Sequence, residues 1–549
     1  MNTRTKKIRN ARIIATDIFM LIAVIAIVFI MMLIAMGFSF TDNGRIEQSG
    51  LVEISSRPSS AKVTIDGKEL FSTTEVNKLL TTGSHDIKIT KTGYDTWNYT
   101  INIEAGLTTT IDWVRLFPLT PEISNVDTFD KSLAITSVSS SRRSMLVAED
   151  KSTTFSILNL QDEKLKEVAK IKFQDLLGEL GENETAATAN EFEVVAWNSN
   201  DSRILVSRKK GENTEWIIVN TGEPAKSVNI TKNYNKNYAK LLFANDSATN
   251  LWALTTDGEL SEINTTSTNA PTVVANNVKQ MINNGDTVIY VAPSKDLVFD
   301  SYGNETSTTK PAEKSEEDSS DSDTKVATDK IFVFNEGETG STAIADLGSA
   351  NPTVVLDTGT YWSKDWLVYN INDKLIVRKG GYPIYNKTQD SDFAIVKEVE
   401  LGFTPSIAAH NSDQRIILAA NGADIYTYDV IYTTERKYRN DIELTTLNWL
   451  DDFLYWQSKD KTIVVRDFNG DNRRELLSNA QDNMPITISA NNRYLYFFTT
   501  EEVPVIDKPT ENNNANSEAN TDSTESNSTS ENAATKTRTV YYLTREKLY

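Results

Sequence analysis

His85 and His410 are the only two histidines of the 549-residue chain, and it has no cysteine. Metal ligation and general-base catalysis both need several such groups converging on one point. His85 falls at a turn and His410 at a strand end, each without a partner close in sequence, so both read as structural. The run Asp467-Phe468-Asn469-Gly470-Asp471 sets oxygen ligands at alternate positions, as a hard cation such as calcium prefers. Its glycine comes too early and the closing bidentate glutamate is missing, so a hairpin turn accounts for the same residues. The acidic run at 316–323 (EEDSSDSD) would attract divalent ions only diffusely and reads as solvated chain. The sequence contains no Gly-x-Ser-x-Gly elbow, phosphate-binding loop, dinucleotide fingerprint or Cys/His cluster. It therefore predicts no catalytic residue, no cofactor-binding residue and no metal ligand. Nine Trp and twenty Tyr could stack on sugar rings, yet most are expected as core wedges. Tyr455 and Trp456, adjacent on one strand, must put one ring on each face.

The elements that would position any site begin with residues 18–38 (IFMLIAVIAIVFIMMLIAMGF), twenty-one residues without a charge, a proline or an amide. At about 1.5 Å of rise per residue, such a helix spans the roughly 30 Å hydrocarbon core of a bilayer. Arg4, Lys6, Lys7, Arg9 and Arg12 precede it, and Asp42, Arg45 and Glu47 follow. The positive-inside bias predicts a cytoplasmic basic tail at 1–17, a transmembrane helix at 18–38 and export of everything beyond. The competing reading is a cleaved secretory signal. Its apolar core is usually about 7–15 residues long, shorter than this run, and Ala35-Met36-Gly37 is only a passable cleavage site. A lipid-modified N-terminus would need a cysteine to acylate.

Five of the 56 bases and one of the 76 acids, Asp17, lie at or before the membrane segment, so the remainder holds 51 bases against 75 acids, a net −24. Such a surface repels nucleic acid and anionic lipid. An exported chain of this size without disulfides must draw its stability from ordinary cores, which fits a bacterium with a single membrane. Asn-x-Ser/Thr triplets at Asn98, Asn245 and Asn386 are those expected by chance in an Asn- and Thr-rich chain.

After a polar linker at 39–49, residues 50–119 change to period-two strands with tight turns. Alternation is clear at 51–54, 62–65, 85–90, 97–103 and 108–116, and Asp66-Gly67 is a strong type I′ hairpin signal. Five or six strands in about seventy residues predict a small β-sandwich. The stretch resembles the PEGA domain family through SSRPSSAKVTIDGKEL, the turn Gly83-Ser84-His85, the strand 86–90, and Lys91-Thr92-Gly93-Tyr94 before Trp97. Pro58 and Ala61 match the ends of the naming motif, with Ser59 and Ser60 in place of Glu and Gly, and Thr73-Thr74 stands where Thr-Pro is frequent. The resemblance implies a compact extracytoplasmic β-domain beside a membrane anchor, without catalytic residues.

Residues 120–549 repeat loosely every 40–50 residues: an apolar strand, an Asn/Asp/Ser turn, then a second apolar strand. The turns read residues 198–202 after Trp197, Asn411-Ser412-Asp413 after Ala409, Asp451-Asp452 after Trp449 and Asn491-Asn492 after Ile488, and Asp257-Gly258, Asn284-Gly285, Asn421-Gly422 and Asn469-Gly470 mark further hairpins. Repeats of this length with about four strands predict propeller blades. Starts near 131, 191, 238, 278, 352, 404, 441 and 484 give seven or eight. The unit around residues 464–472 resembles blades of TolB-like and WD40-like propellers, although no blade carries the full Gly-His…Trp-Asp pattern, and sialidase-type boxes are absent. The alternative architecture is a pair of β-sandwiches. A helical pattern spans 163–180. Residues 304–328 and 508–536 lack the apolar side chains to offset ordering entropy and read as disordered insertions, each inside a hairpin.

The fold class expected is thus mainly β: one transmembrane helix, a PEGA-like sandwich and a seven- or eight-bladed propeller. The function expected is that of a single-pass membrane protein of the cell surface, without enzymatic activity, that presents the propeller to a protein or envelope polymer. Its partners would be the membrane and that ligand, not nucleic acid, and the oligomeric state is left open. One alternative is a propeller enzyme cleaving carbohydrate or lactone with carboxylates gathered at the channel. Another is an envelope sensor, for which a tail of about a dozen residues leaves no signalling domain.

Overall fold

The structure is a computed structural model that describes residues 3–35, 37–40, 46–162, 164–177, 186–245, 248–267, 269–294, 298–299, 305–306, 328–386, 392–478, 480–481, 484–504 and 537–549. Helix α1, Thr3–Ala35, contains the apolar stretch Ala15–Leu33, long and apolar enough to cross a membrane. None of that stretch is buried against protein. The helix begins well before residue 18, so the basic segment extends it. The expected linker is also shorter, because Phe38–Phe40 already pairs with the start of Ile46–Arg57; residues 41–45 lie outside the described residues.

Two four-stranded sheets form the sandwich. One joins Phe38–Phe40, Ile46–Arg57, Val76–Thr81 and Thr108–Arg115; the other joins Lys68–Thr73, Lys62–Ile65, Gly83–Thr90 and Thr96–Ile103. Val52, Ile54, Val63, Ile87, Ile89, Trp97 and Ile111 close the core between them. Lys68–Thr73 and Val76–Thr81 escape the period-two reading because they are edge strands exposed along most of their length; Phe71 is fully exposed. Gly37 ties the helix to this unit. Its φ is +79°, and a Cβ there would meet the Gly106 nitrogen at 2.4 Å, so only glycine fits.

Eight consecutive antiparallel sheets follow, at 133–172, 192–229, 238–275, 280–346, 356–400, 407–444, 448–478 and 487–547. They are the blades of an eight-bladed β-propeller, numbered 1 to 8 in this order; seven start within four residues of the expected position, and blade 7 starts at 448 where 441 was expected. In blade 6 the element Ile416–Asp429 folds back at Asn421-Gly422; the Val430 N–H donates to the Arg415 carbonyl at 3.0 Å across its open end. Blade 8 takes its outermost strand, Glu122–Phe129, from the start of the propeller, paired with Thr537–Lys547. The sequence repeat does not mark this strand, because its first half is exposed. Neighbouring blades bury their apolar faces on each other: Leu146 and Ile157 of blade 1 share a cluster with Ile204 and Ile217 of blade 2. Tyr455 and Trp456 enter clusters on opposite faces of blade 7. Trp362, on the blade 5 turn, is 79% exposed and departs from the core expectation for tryptophan.

The helical expectation at 163–180 is corrected in part. Lys166–Lys172 is the outer strand of blade 1, and helix α2 is only Phe173–Leu177. An exposed outer strand with scattered apolar residues mimics helical spacing. Residues 163 and 178–180 lie outside the described residues. The two insertions do interrupt hairpins: Pro293 pairs with Asp329 in blade 4, and Pro504 pairs with Thr537 in blade 8. Of the first insertion only residues 305, 306 and 328 are described, and of the second none.

Candidate functional site

Each blade runs first strand to fourth from the channel outward. The turns between strands one and two and between three and four therefore lie on one rim, and the hairpins between two and three on the other. The sequence repeat has a physical cause on the first rim. In blades 1, 2, 6, 7 and 8 the residue at the turn after the first strand is Ser139, Asn198, Asn411, Asp451 and Ser489, each at most 5% exposed. Its side-chain oxygen accepts backbone N–H groups of the turn. Asn198 Oδ1 takes Arg203 at 2.8 Å, Asn411 Oδ1 takes Arg415 and Ile416 at 2.9 Å, and Asp451 Oδ1 takes Phe453 at 2.9 Å and Leu454 at 2.8 Å. Such short polar side chains replace a missing backbone partner in a tight turn.

A parallel set ends the third strands: Asn159, Asn220, Asn264 and Asn335 in blades 1 to 4, but Asp429 and Asp467 in blades 6 and 7. The same exchange of amide or hydroxyl for carboxylate gives Asp451 its charge. These three aspartates cluster where the sandwich sits on the rim, over blades 6 to 8.

Arg115, 2% exposed, donates from Nε to Asp451 Oδ2 at 2.7 Å and from Nη2 to Asn492 at 2.7 Å. Burial acts against the Asp451 charge, but Arg115 and the turn N–H groups outweigh it and hold the carboxyl below its usual range. Arg415 of blade 6 is the reciprocal case. Its Nε donates to Asp429 at 2.9 Å and its Nη1 to Asp112 of the sandwich at 3.1 Å, with the guanidinium 4.7 Å from the Tyr432 ring centre and 5.3 Å from that of Phe453. Arg474 reaches back to Asp95 at 2.7 Å. Trp97 donates from Nε1 to Asp467 Oδ2 at 2.7 Å, and Asn472 donates to the same oxygen at 2.8 Å. Asp467 is fully buried and its Oδ1 has no hydrogen-bond partner. Burial pushes its carboxyl up to about 7, against the pull of Arg474, Asn472 and Trp97. Trp113, Phe453, Phe468 and Ile416 continue the sandwich core into the propeller. The junction is therefore one hydrophobic core ringed by buried ion pairs, and the two units are fixed relative to each other.

Asp467, first read as part of a faint calcium loop, is thus a turn residue recruited by Trp97. The two histidines, which sequence left partnerless, have carboxylates from afar. His85 lies in strand Gly83–Thr90 and its Nδ1 is 2.7 Å from Asp66, while His410 Nδ1 is 2.9 Å from Asp357 of blade 5. Among the described residues no group of three or more His, Asp or Glu side chains is placed to hold a metal ion.

Inward of the junction, the channel opens into a cavity of about 660 Å³ beside blade 7. The first strands of blades 7 and 8, Asn448–Trp449 and Thr487–Ile488, are two residues each, against six in blades 1, 2, 3 and 5. Their shortness leaves the second strand of blade 7 without a first-strand partner beyond Trp456, at Gln457 and Ser458, which line the cavity. Two carboxylates line the cavity, Glu443 and Asp451, and Asp451 is committed to Arg115.

Residues 49–115 match the PEGA domain family. No curated protein matches the chain. Among solved structures, the chain is similar to the β-propeller domain of Myceliophteria thermophila Cps50 (Swd1), with 10% identity, 64% of this chain and 98% of that one covered, and a TM-score of 0.34. It is similar to Kluyveromyces lactis Hsv2 at 10% identity, 67% and 93% coverage and a TM-score of 0.34. The tricorn protease aligns at 12% identity over 72% of this chain and 38% of its own, with a TM-score of 0.35.

Proposed function

We propose that the protein is a single-pass membrane anchor that holds a β-propeller outside the membrane as a binding scaffold for a protein or an envelope polymer. The observation that carries this reading is the junction. A flexible tether would need no buried ion pair, whereas Arg115–Asp451 is buried and Arg415, itself buried, reaches the half-exposed Asp112, holding the propeller to the unit next to the N-terminal helix. Strands Ile46–Arg57 and Thr108–Arg115 run parallel from the helix end toward the propeller. The junction rim therefore faces the anchor and the opposite rim, with the hairpins that carry both insertions, faces away. Display of one rim at a fixed height suits recognition by several loops at once. The basic residues before the helix and the absence of cysteine support an extracytoplasmic, bacterial cell-surface location for residues beyond the helix.

Cross-linking on intact cells with an impermeant amine-reactive reagent, followed by affinity recovery of the full-length protein, tests this. A reproducible partner joined through lysines of the far rim supports it. No partner, together with turnover of a glycan or lactone by the purified protein, would replace the scaffold with an enzyme.

A further inference from the structure

The channel cavity has a chemical character that narrows the ligand, resting on the scaffold reading above. Nine of its lining residues are serine or threonine, from blades 1, 6, 7 and 8, and Asn448 and Gln457 add amides. Its charges are largely spent. Asp451 pairs with Arg115, and Arg142, the cation of the lining, contacts Asp452 at 3.3 Å. The chain as a whole carries −20. Arg142 Nη1 is buried without a hydrogen-bond partner, while the acidic surface around the cavity repels an anionic polymer. The lining also holds apolar side chains, Leu447, Trp449 and Pro485, with the largely buried Trp456 behind them.

The geometry points to a binding site for an uncharged saccharide, a chain end or short segment of a neutral glycan, entered from the far rim between the connections at 445–447 and 484–486. Ser137, Ser139, Ser412 and Thr487 also bond within the protein, and hydroxyls both donate and accept, so Ser140, Thr445 and Thr446 best match a ligand whose edge is itself hydroxyl groups. Indole faces match the apolar C–H faces of sugar rings. A peptide bound by strand addition would instead need a free strand edge, and the two-residue first strands of blades 7 and 8 offer little of one. The volume lies within the roughly 300–1,000 Å³ of ligand pockets.

The test is titration of the full-length protein in detergent micelles, followed by tryptophan fluorescence and calorimetry. The probes are maltotetraose, cellotetraose and N-acetylchitotetraose, with tetragalacturonate and an uncharged hexapeptide for contrast. At least one neutral tetrasaccharide saturates. Thr446→Val, at an exposed position where loss of the hydroxyl leaves the fold intact, weakens it about five-fold, as expected for one hydrogen bond. Trp449→Ala weakens it ten-fold or more, and Trp362→Ala on the junction rim changes nothing. Saturation only by the anionic sugar or the peptide, no saturation by any probe, or unchanged affinity in both cavity variants overturns the proposal. The scaffold reading survives each of these outcomes, because it stands on the far-rim cross-links.

Discussion

Arg115 Nε donates to Asp451 Oδ2 at 2.7 Å across the sandwich–propeller junction, while the other carboxylate oxygen of Asp451 closes the blade 7 turn. One side chain thus serves local folding and domain docking together. Arg115→Met leaves a buried carboxylate unpaired and is expected to cost about 3–5 kcal/mol. Asn fills the same turn position in blades 2 and 6, so the double variant Arg115→Met/Asp451→Asn keeps the turn and removes both charges. Thermal unfolding should show it recovering most of the loss. Additive losses in the two single variants would show that the pair is not coupled.

Asp467 makes the junction pH-dependent. Its carboxyl lies near pH 7 in the folded protein against 3.8 for the free group, because burial disfavours the charge. A group whose pKa rises on folding contributes stability that is fully present below the unfolded value and lost as pH rises through the folded one. Stability should therefore decline between about pH 4 and pH 7, by a few kcal/mol at most at roughly 1.4 kcal/mol per pH unit. Glu546, pushed up to about 7 by burial, acts in the same direction. Asp467→Asn should flatten the unfolding profile over this window and be more stable than the parent at pH 7.5. A profile that does not change would remove Asp467 from the account.

The ring closes through its first strand. Phe129 is 8% exposed and packs with Tyr496, Phe498 and Leu543 of blade 8, whereas Ile123 on the same strand is 51% exposed. Phe129→Ala should cost about 3–5 kcal/mol and Ile123→Ala within about 0.5 kcal/mol. Chemical denaturation distinguishes them. Equal effects would mean that the strand is held by backbone pairing alone.

Trp97 contributes a ring and a hydrogen bond to the junction. Trp97→Phe keeps most of the ring but leaves Asp467 without the indole donor, for an expected loss of about 1–3 kcal/mol. The loss should shrink in the Asp467→Asn background, where no charge is left buried. A loss of the same size in both backgrounds would assign the effect to ring volume.

Much of this was legible because the repeat has a mechanical cause. Asn198, Asn411 and Asp451 recur since each closes the same turn, and an N–H acceptor of that size is restricted to a few residue types; Ser489, which does the same in blade 8, was hidden beside Asn491-Asn492. What stayed hidden was non-local. Arg115 and Asp451 are 336 residues apart, as are Trp97 and Asp467 at 370, so nothing nearby in sequence marks them as partners. A signal existed all the same: blades 6 and 7 carry Asp where blades 1 to 4 carry Asn at the end of the third strand, and a buried turn gains a charge only if something answers it. Edge strands such as Lys68–Thr73 were missed for the opposite reason. Their side chains are solvated on both faces, so no apolar alternation records them. The cavity could not be read either, because it arises from strand length in blades 7 and 8 and not from a motif.

The central claim is that the helix anchors the chain and that the far rim points away from the membrane. The cysteine-free sequence permits a direct measurement on single-cysteine variants in intact cells: Thr5→Cys in the basic segment and Glu212→Cys on the far-rim hairpin of blade 2. A membrane-impermeant maleimide should label Glu212→Cys rapidly with the protein retained in the membrane fraction, and Thr5→Cys only after permeabilisation. Labelling of Thr5→Cys on intact cells, protection of Glu212→Cys, or recovery of the labelled protein from the medium would contradict the account.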